Sequence, residues 1–244
     1  MAEKKIQLII RDAGLASRRT AETLIREGRV TLNGQVVLDP AITANPEKDY
    51  IKVDGKLIPR AETTKYCYLF NKPRHVVSTM ADPEGRPCIG DLIKPLKKKL
   101  FSVGRLDFDA EGLMILTNDG NLAQKLSHPS HKVARTYMVK VRGAPADDEL
   151  AKIRKGMSIG EGDRVGNVSW TVVRKQKTTT WIRIVLYEGK KNEIKRIFFR
   201  IGHPVRKIRR IGYGPFSLGP LPTGSWRPLS PAETQKLQAL FGPS

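Results

Sequence analysis

Cysteine is nearly absent from this chain, with two thiols, Cys67 and Cys88, in 244 residues. Neither belongs to a Cys-x-x-Cys pair nor has a histidine at metal-binding spacing. A disulfide framework is therefore not expected, and both read as small buried hydrophobes in a reducing compartment. No apolar run approaches the ~18 residues of a membrane-spanning helix, and no basic amphipathic stretch with a Trp/Phe face argues for the membrane surface. The apolar stretch from Ile6 to Ile10 is broken by Gln7 and too short for the core of a signal peptide, so a cytoplasmic protein is expected. The four histidines, His75, His128, His131 and His203, do not form a ligand set at zinc spacing, and no metal is expected. Acid is the remaining shortage: 24 Asp and Glu stand against 44 Lys and Arg, a formal charge of +20. An excess on that scale exceeds what solubility requires and points to a polyanionic partner, nucleic acid first.

Two domains suit the length. Ile6, Ile9 and Ile10, then Ala21, Leu24 and Ile25, recur at helical spacing, which predicts helices over 6–13 and 18–27. Ser17 can cap the second, and Gly14 and Gly28 can end them. The period then shortens: Val30 to Val37 alternates around Asn33-Gly34, and Ile51 to Leu57 around Asp54-Gly55, both hairpin signals. The expectation is a helix-helix-hairpin unit over 1–59, a polar connection over 60–65, and a second domain over 66–244. There, strands are predicted at 66–70, 75–79, 113–117, 136–142, 167–174, 180–187 and 205–211. Helices are predicted near 120–127, 147–154, 191–201 and 231–240. Such irregular interleaving reads as α+β with a largely antiparallel mixed sheet flanked by helices.

The segment Gly104-Arg105-Leu106-Asp107-Phe108-Asp109-Ala110-Glu111-Gly112 places three carboxylates between glycines, directly ahead of an apolar strand. A loop against a core strand can hold an acid, partly desolvated, at the edge of a cleft; a turn-capping Asp satisfies the same local sequence. A calcium-binding loop does not, because acids at alternating positions closing on a Glu at the twelfth are missing. Basic residues cluster elsewhere. Lys190 to Arg210 holds nine Lys or Arg against one acid, Glu193, and Lys94, Lys97, Lys98 and Lys99 crowd a turn-rich segment. A phosphate track explains this clustering better than solubility does.

Two resemblances organise these features. Gly14-Leu15-Ala16-Ser17-Arg18-Arg19, Ala21-Glu22, Leu24-Ile25, Gly28-Arg29-Val30, Asn33-Gly34 and Val53-Asp54-Gly55 resemble the RNA-binding domain first known from ribosomal protein S-four. Gly104-Arg105-Leu106-Asp107, with Gly112-Leu113 and Thr117-Asn118-Asp119-Gly120, resembles the central motif of the bacterial ribosomal RNA pseudouridine synthases. Asn71-Lys72-Pro73, Ser127-His128-Pro129, Arg135-Thr136-Tyr137, Glu188 to Arg196 and Gly202-His203-Pro204-Val205 follow in the family's order. That family carries glycine where Arg74 or His75 stands. The combination resembles the branch containing the small-subunit and large-subunit enzymes.

The resemblance implies a cofactor-free isomerisation of a uridine to its carbon-linked isomer, with ribosomal RNA or a ribosomal assembly intermediate as partner and a monomer as the working form. Details of 127–129 and 188–196 favour 23S over 16S RNA. Asp107 is implied as the catalytic carboxylate, Lys195 as the cation beside it, and Tyr137 as the ring that stacks on the flipped base. Consecutive helical residues point about 100° apart, so only one of Lys195 and Arg196 can face Asp107. Arg18, Arg19, Arg26 and Arg29 in the first domain, and Arg105, Lys190, Lys191 and Arg196 in the second, are the expected RNA contacts. The rival is a non-catalytic RNA-binding or ribosome-assembly factor on the same fold. DNA binding through the first helix pair is weaker, since 18–28 offers only Arg, Thr and Glu to read bases.

Overall fold

The structure, a computed structural model, describes residues 3–60, 64–166 and 168–242. Residues 61–63 of the expected connection, and Asn167 at the start of an expected strand, lie outside them. The chain divides into two compact units, Met1–Lys65 and Tyr66–Ser244.

The first unit runs β1 (Lys4–Lys5), α1 (Ile6–Asp12), α2 (Arg18–Arg26), β2 (Val30–Leu32), β3 (Gln35–Val36), β4 (Thr43–Ala44), β5 (Ile51–Val53) and β6 (Lys56–Leu57). Ile6, Ile9 and Ile10 of α1 meet Ala21 and Ile25 of α2 over Val30 and Ile51, a small dry core. Ser17 caps α2 by accepting the Thr20 N–H at 3.1 Å. The β-strands order as β3-β2-β5-β6. Both hairpins turn on residues with positive φ, Asn33 (51°) and Gly34 (89°), then Asp54 (49°) and Gly55 (75°), a geometry matched to strand twist. The short pairing of β1 with β4 has no signature in the sequence.

The second unit continues with β7 (Cys67–Lys72), α3 (Ile89–Ile93), β8 (Phe101–Val103), β9 (Glu111–Thr117), α4 (Gly120–Ser127), β10 (Arg135–Arg142) and α5 (Asp147–Lys155). It closes with β11 (Ser158–Gly160), β12 (Asp163–Arg164), β13 (Ser169–Lys175), β14 (Thr179–Leu186), α6 (Glu193–Arg200), β15 (Val205–Tyr213), β16 (Phe216–Ser217), β17 (Trp226–Pro228) and α7 (Pro231–Phe241). One sheet dominates, ordered β13-β14-β10-β15-β9-β7-β17, with β16 on β15 and β8 on β9. Every pairing in it is antiparallel except β15 with β9, so the α+β class and the largely antiparallel mixed sheet are borne out. One face packs Met114, Val139, Ile182, Ile184 and Ile208 against Leu150 and Ile153 of α5 and Ile194, Ile197 and Phe198 of α6. Leu69, Leu113 and Ile115 point the other way, onto Leu122 and Leu126 of α4 and Leu237 of α7. Each such side chain contributes roughly 1.5–3 kcal/mol when fully buried.

Three local expectations are corrected. The stretch 75–79 is not a strand: it makes a single bridge, Val77 to Cys88. Pro73 lacks a ladder N–H, and His75 sits at φ 60°, a left-handed turn. The helix expected from 191 begins at Glu193, because Asn192 is itself left-handed at φ 52°. Cys67 is half-buried rather than buried, although both thiols are free and burial pushes the Cys67 thiol up to about 12. The sequence reading also missed α3, where the Asp91 carboxylate accepts the Cys88 N–H at 3.1 Å.

Candidate active site

The acid-bearing loop 104–110 enters β9, which is buried from Gly112 through Thr117. Its position is set from below by Lys72, at the end of β7 and fully buried. The Lys72 Nζ donates to the carbonyls of Pro73 at 2.9 Å, Asp107 at 3.2 Å and Ala110 at 2.9 Å, which uses all three N–H groups of an ammonium. Burial pulls its pKa down to about 8; Asp107 and Asp109 oppose that pull and Arg210 adds to it. From the side, the Ser78 hydroxyl donates to the Leu106 carbonyl at 2.5 Å, and its oxygen lies 3.1 Å from the Leu106 N–H.

The carboxylates of Asp107, which lines a cleft, and of Asp109 are both about half-exposed, and Lys195 reaches them from α6. Its Nζ lies 3.7 Å from Asp107 Oδ2 and 2.6 Å from Asp109 Oδ1. Lys195 therefore hydrogen-bonds Asp109 and approaches Asp107 as a nearby charge. Burial works to raise the pKa of Asp109, but the hydrogen bond and charge of Lys195, with Arg74, outweigh it and hold the group below its ordinary value.

The adjacent Arg196 turns away. Its Nη1 pairs with Asp163 at 2.8 Å, its Nε donates to the Ile159 carbonyl at 3.0 Å, and its Nη2 donates to the Gly160 carbonyl. Arg196 clamps the β11–β12 hairpin to α6 and is largely buried, which corrects its expected place on an RNA-facing surface. Lys190 is also engaged, with Glu188 at 2.8 Å and the Arg164 carbonyl, and Glu188, with the charges of Glu193 and Asp163, raises its pKa. Lys191 and Arg105 line the cleft with no carboxylate partner among the described residues.

A cavity of about 380 Å³ joins Asp107, Lys195, Lys191 and Arg105 to Tyr137, Leu186, Ile208 and Arg210. Tyr137 is almost buried, on β10, and its register partner on β15 is Arg210. Arg210 is the residue that sequence reasoning missed, counted there only as one charge among nine. It is 1% exposed; its Nε donates to the Leu113 carbonyl at 2.6 Å and its Nη1 to the Arg105 carbonyl at 3.4 Å, while Nη2 has no hydrogen-bond partner among the described residues. Strand alternation was the available signal, because Ile208 and Arg210 share a face. Gly112 makes room for this strand: at φ 110°, a Cβ there would lie 2.3 Å from the Arg210 carbonyl oxygen.

In the first unit, the basic residues divide by partner. The Arg29 guanidinium grips Asp54 with two hydrogen bonds of 2.7 and 2.8 Å and also reaches Glu27; these partners raise its pKa and occupy its donors. Arg18 bonds Gln7 and Glu22 at 3.2 Å each. Arg19 and Arg26 are exposed on α2 with no carboxylate partner among the described residues. They leave the helix a cationic side that phosphate can approach.

Comparison with known proteins gives concordant matches. The model of the RNA pseudouridylate synthase family matches residues 66–199, and the S4 domain model matches residues 4–49. An RNA pseudouridine synthase of Aquifex aeolicus is 39% identical over 99% of this chain and 96% of its own length. The ribosomal large subunit pseudouridine synthase B of Bacillus subtilis is 38% identical over 97% of this chain and 96% of its own. A solved pseudouridylate synthase structure superimposes with a TM-score of 0.69 at 27% identity, covering 97% of this chain and all of that one.

Proposed function

Because the chain belongs to the RNA pseudouridylate synthase family, we propose that it isomerises a specific uridine of ribosomal RNA, in the 23S molecule, with Asp107 as the reacting carboxylate. The observation that carries this reading is one cleft holding Asp107, a lysine 3.7 Å from it and the nearly buried Tyr137 ring. The ribosomal substrate follows from the relative of Bacillus subtilis, whose name places its activity on the large subunit.

The reaction breaks the bond from the ribose anomeric carbon to N1 and forms one to C5, after the uracil has turned in the cleft. The proton lost from C5 balances the one gained at N1, so no redox partner enters. Asp107 acts on the ribose as a carboxylate, by attack on the anomeric carbon or by taking the neighbouring ribose proton. Both routes use the carboxylate, and the Lys195 ammonium stands 3.7 Å from it as a counter-charge. Tyr137 offers a flat apolar surface to a base that has left its stack, worth ~1–3 kcal/mol. Arg105 and Lys191 at the rim suit the flanking phosphates, as do Arg19 and Arg26 of the S4 domain. The protein works in the cytoplasm as a monomer, with assembling ribosomal RNA as its partner.

Mapping pseudouridine in ribosomal RNA from cells lacking this protein is expected to reveal a missing site in 23S RNA. Restoring the strain with Asp107→Asn should return RNA binding and no modification. Conversion of that site by the Asn variant would exclude Asp107 as the reacting group.

A further inference from the structure

Four neighbouring strands of the large sheet, β13, β14, β10 and β15, carry ten Lys or Arg and not one Asp or Glu. Side chains alternate between the faces of a sheet, and the register sorts these cations. Arg135 and Arg210 share the face of Tyr137 and line the cleft. Arg174, Trp181, Lys140 and Lys207 form one row across the four strands, and Arg183, Met138 and Arg209 fall in the next. Both rows stand on the opposite face, because Ile182, Val139 and Ile208, which lie between them, are buried against α5 and α6.

On that face Glu111 of β9 takes Lys207 at 2.9 Å and lies 3.9 Å from Arg209. Arg174, Arg183 and Lys140 have no carboxylate partner among the described residues. Lys140 Nζ instead lies 5.9 Å from the Trp181 ring centre. Lys140 and Lys207 stand directly opposite each other, a like-charge pairing that costs stability. A face kept only for solubility mixes both signs; here Glu111 answers Lys207 and Arg209, and Lys140, Arg174 and Arg183 are left without an anion among the described residues.

We infer that this sheet face is a second RNA-binding surface, which grips the phosphodiester backbone of a segment other than the one entering the cleft. The sheet itself separates the two, so no cation of these rows can serve the nucleotide beside Tyr137. At ~4.8 Å between strands, the row from Arg174 to Lys207 spans about 14 Å, long enough to meet several phosphates. The inference rests on the RNA-modifying reading, which supplies the polyanion.

Salt dependence of binding tests it. Full-length protein is titrated with deproteinised ribosomal RNA at several KCl concentrations. Wild type is compared with Lys140→Gln/Arg174→Gln/Arg183→Gln and with the corresponding triple change to Glu. Each cation on a phosphate contributes about 0.7–0.9 to the slope of log K against log salt. The Gln triple is therefore expected to lower the slope by about 2 and weaken binding about tenfold or more at moderate salt, with the Glu triple weaker still. A control, Lys152→Glu/Lys155→Glu on α5, should keep the wild-type slope. Equal slopes for wild type and both triples overturn the inference, and an equal loss in the control overturns it too. A wild type that shows the expected differences and yet forms no pseudouridine leaves the surface standing and removes the function proposed for the cleft.

Discussion

Lys72 ties catalysis to pH. Its ammonium titrates at about 8, and loss of one proton removes one of the three donors that hold the Pro73, Asp107 and Ala110 carbonyls. Single-turnover rates are therefore expected to fall as pH rises through 8. Stability moves oppositely: the folded value lies below the unfolded one, so between about 8 and ~10.4 the unfolded chain keeps a proton that the native chain has lost, and Lys72 makes folding more favourable as pH rises. A rate that drops above pH 8 because the protein melts contradicts this account. Replacing Lys72 with Met should cost about 100-fold in kcat by loosening the loop under Asp107. For Lys195, geometry predicts that Lys195→Arg retains activity within about tenfold, whereas Lys195→Met loses about 100-fold or more, since the carboxylate beside it then lacks its cation. Rates at saturating RNA decide both.

Between elements, β9 fits closely against β15, whose parallel register sets Gly112 against Arg210. Gly112→Ala forces a Cβ into backbone at a φ that L side chains rarely adopt. A loss of about 3 kcal/mol or more is expected, seen as a lower Tm of the second unit. Ser17→Ala is the milder counterpart, removing one cap for about 1 kcal/mol. Elements whose period is long and uninterrupted were legible: α2, β10, β14 and β15 lie within two residues of their predicted bounds. The stretch 75–79 was not, because Val76 and Val77 carry strand propensity while a left-handed His75 bends the chain. Local preference lost there to the turn that brings Ser78 under Leu106.

For the whole molecule, charge sets the affinity. Arg19→Glu/Arg26→Glu, on a helix remote in sequence from the cleft loop, is expected to raise KM for ribosomal RNA severalfold with kcat unchanged, because phosphate contacts position RNA without entering the chemistry. An unchanged KM denies α2 that role. The sequence by itself determined the fold class, the core faces, the family and the acid-bearing loop, because periodicity, turn residues and motif spacing are written along the chain. Only the tertiary structure decided that Lys195 bonds Asp109 while approaching Asp107, that Arg196 and Arg29 serve as internal clamps, and that Lys72 and Arg210 lie buried beneath the cleft. Those outcomes depend on groups brought together from 25 to 97 positions apart. Which partner each charge finds is a matter of distance and desolvation, and neither quantity exists until the chain has closed on itself.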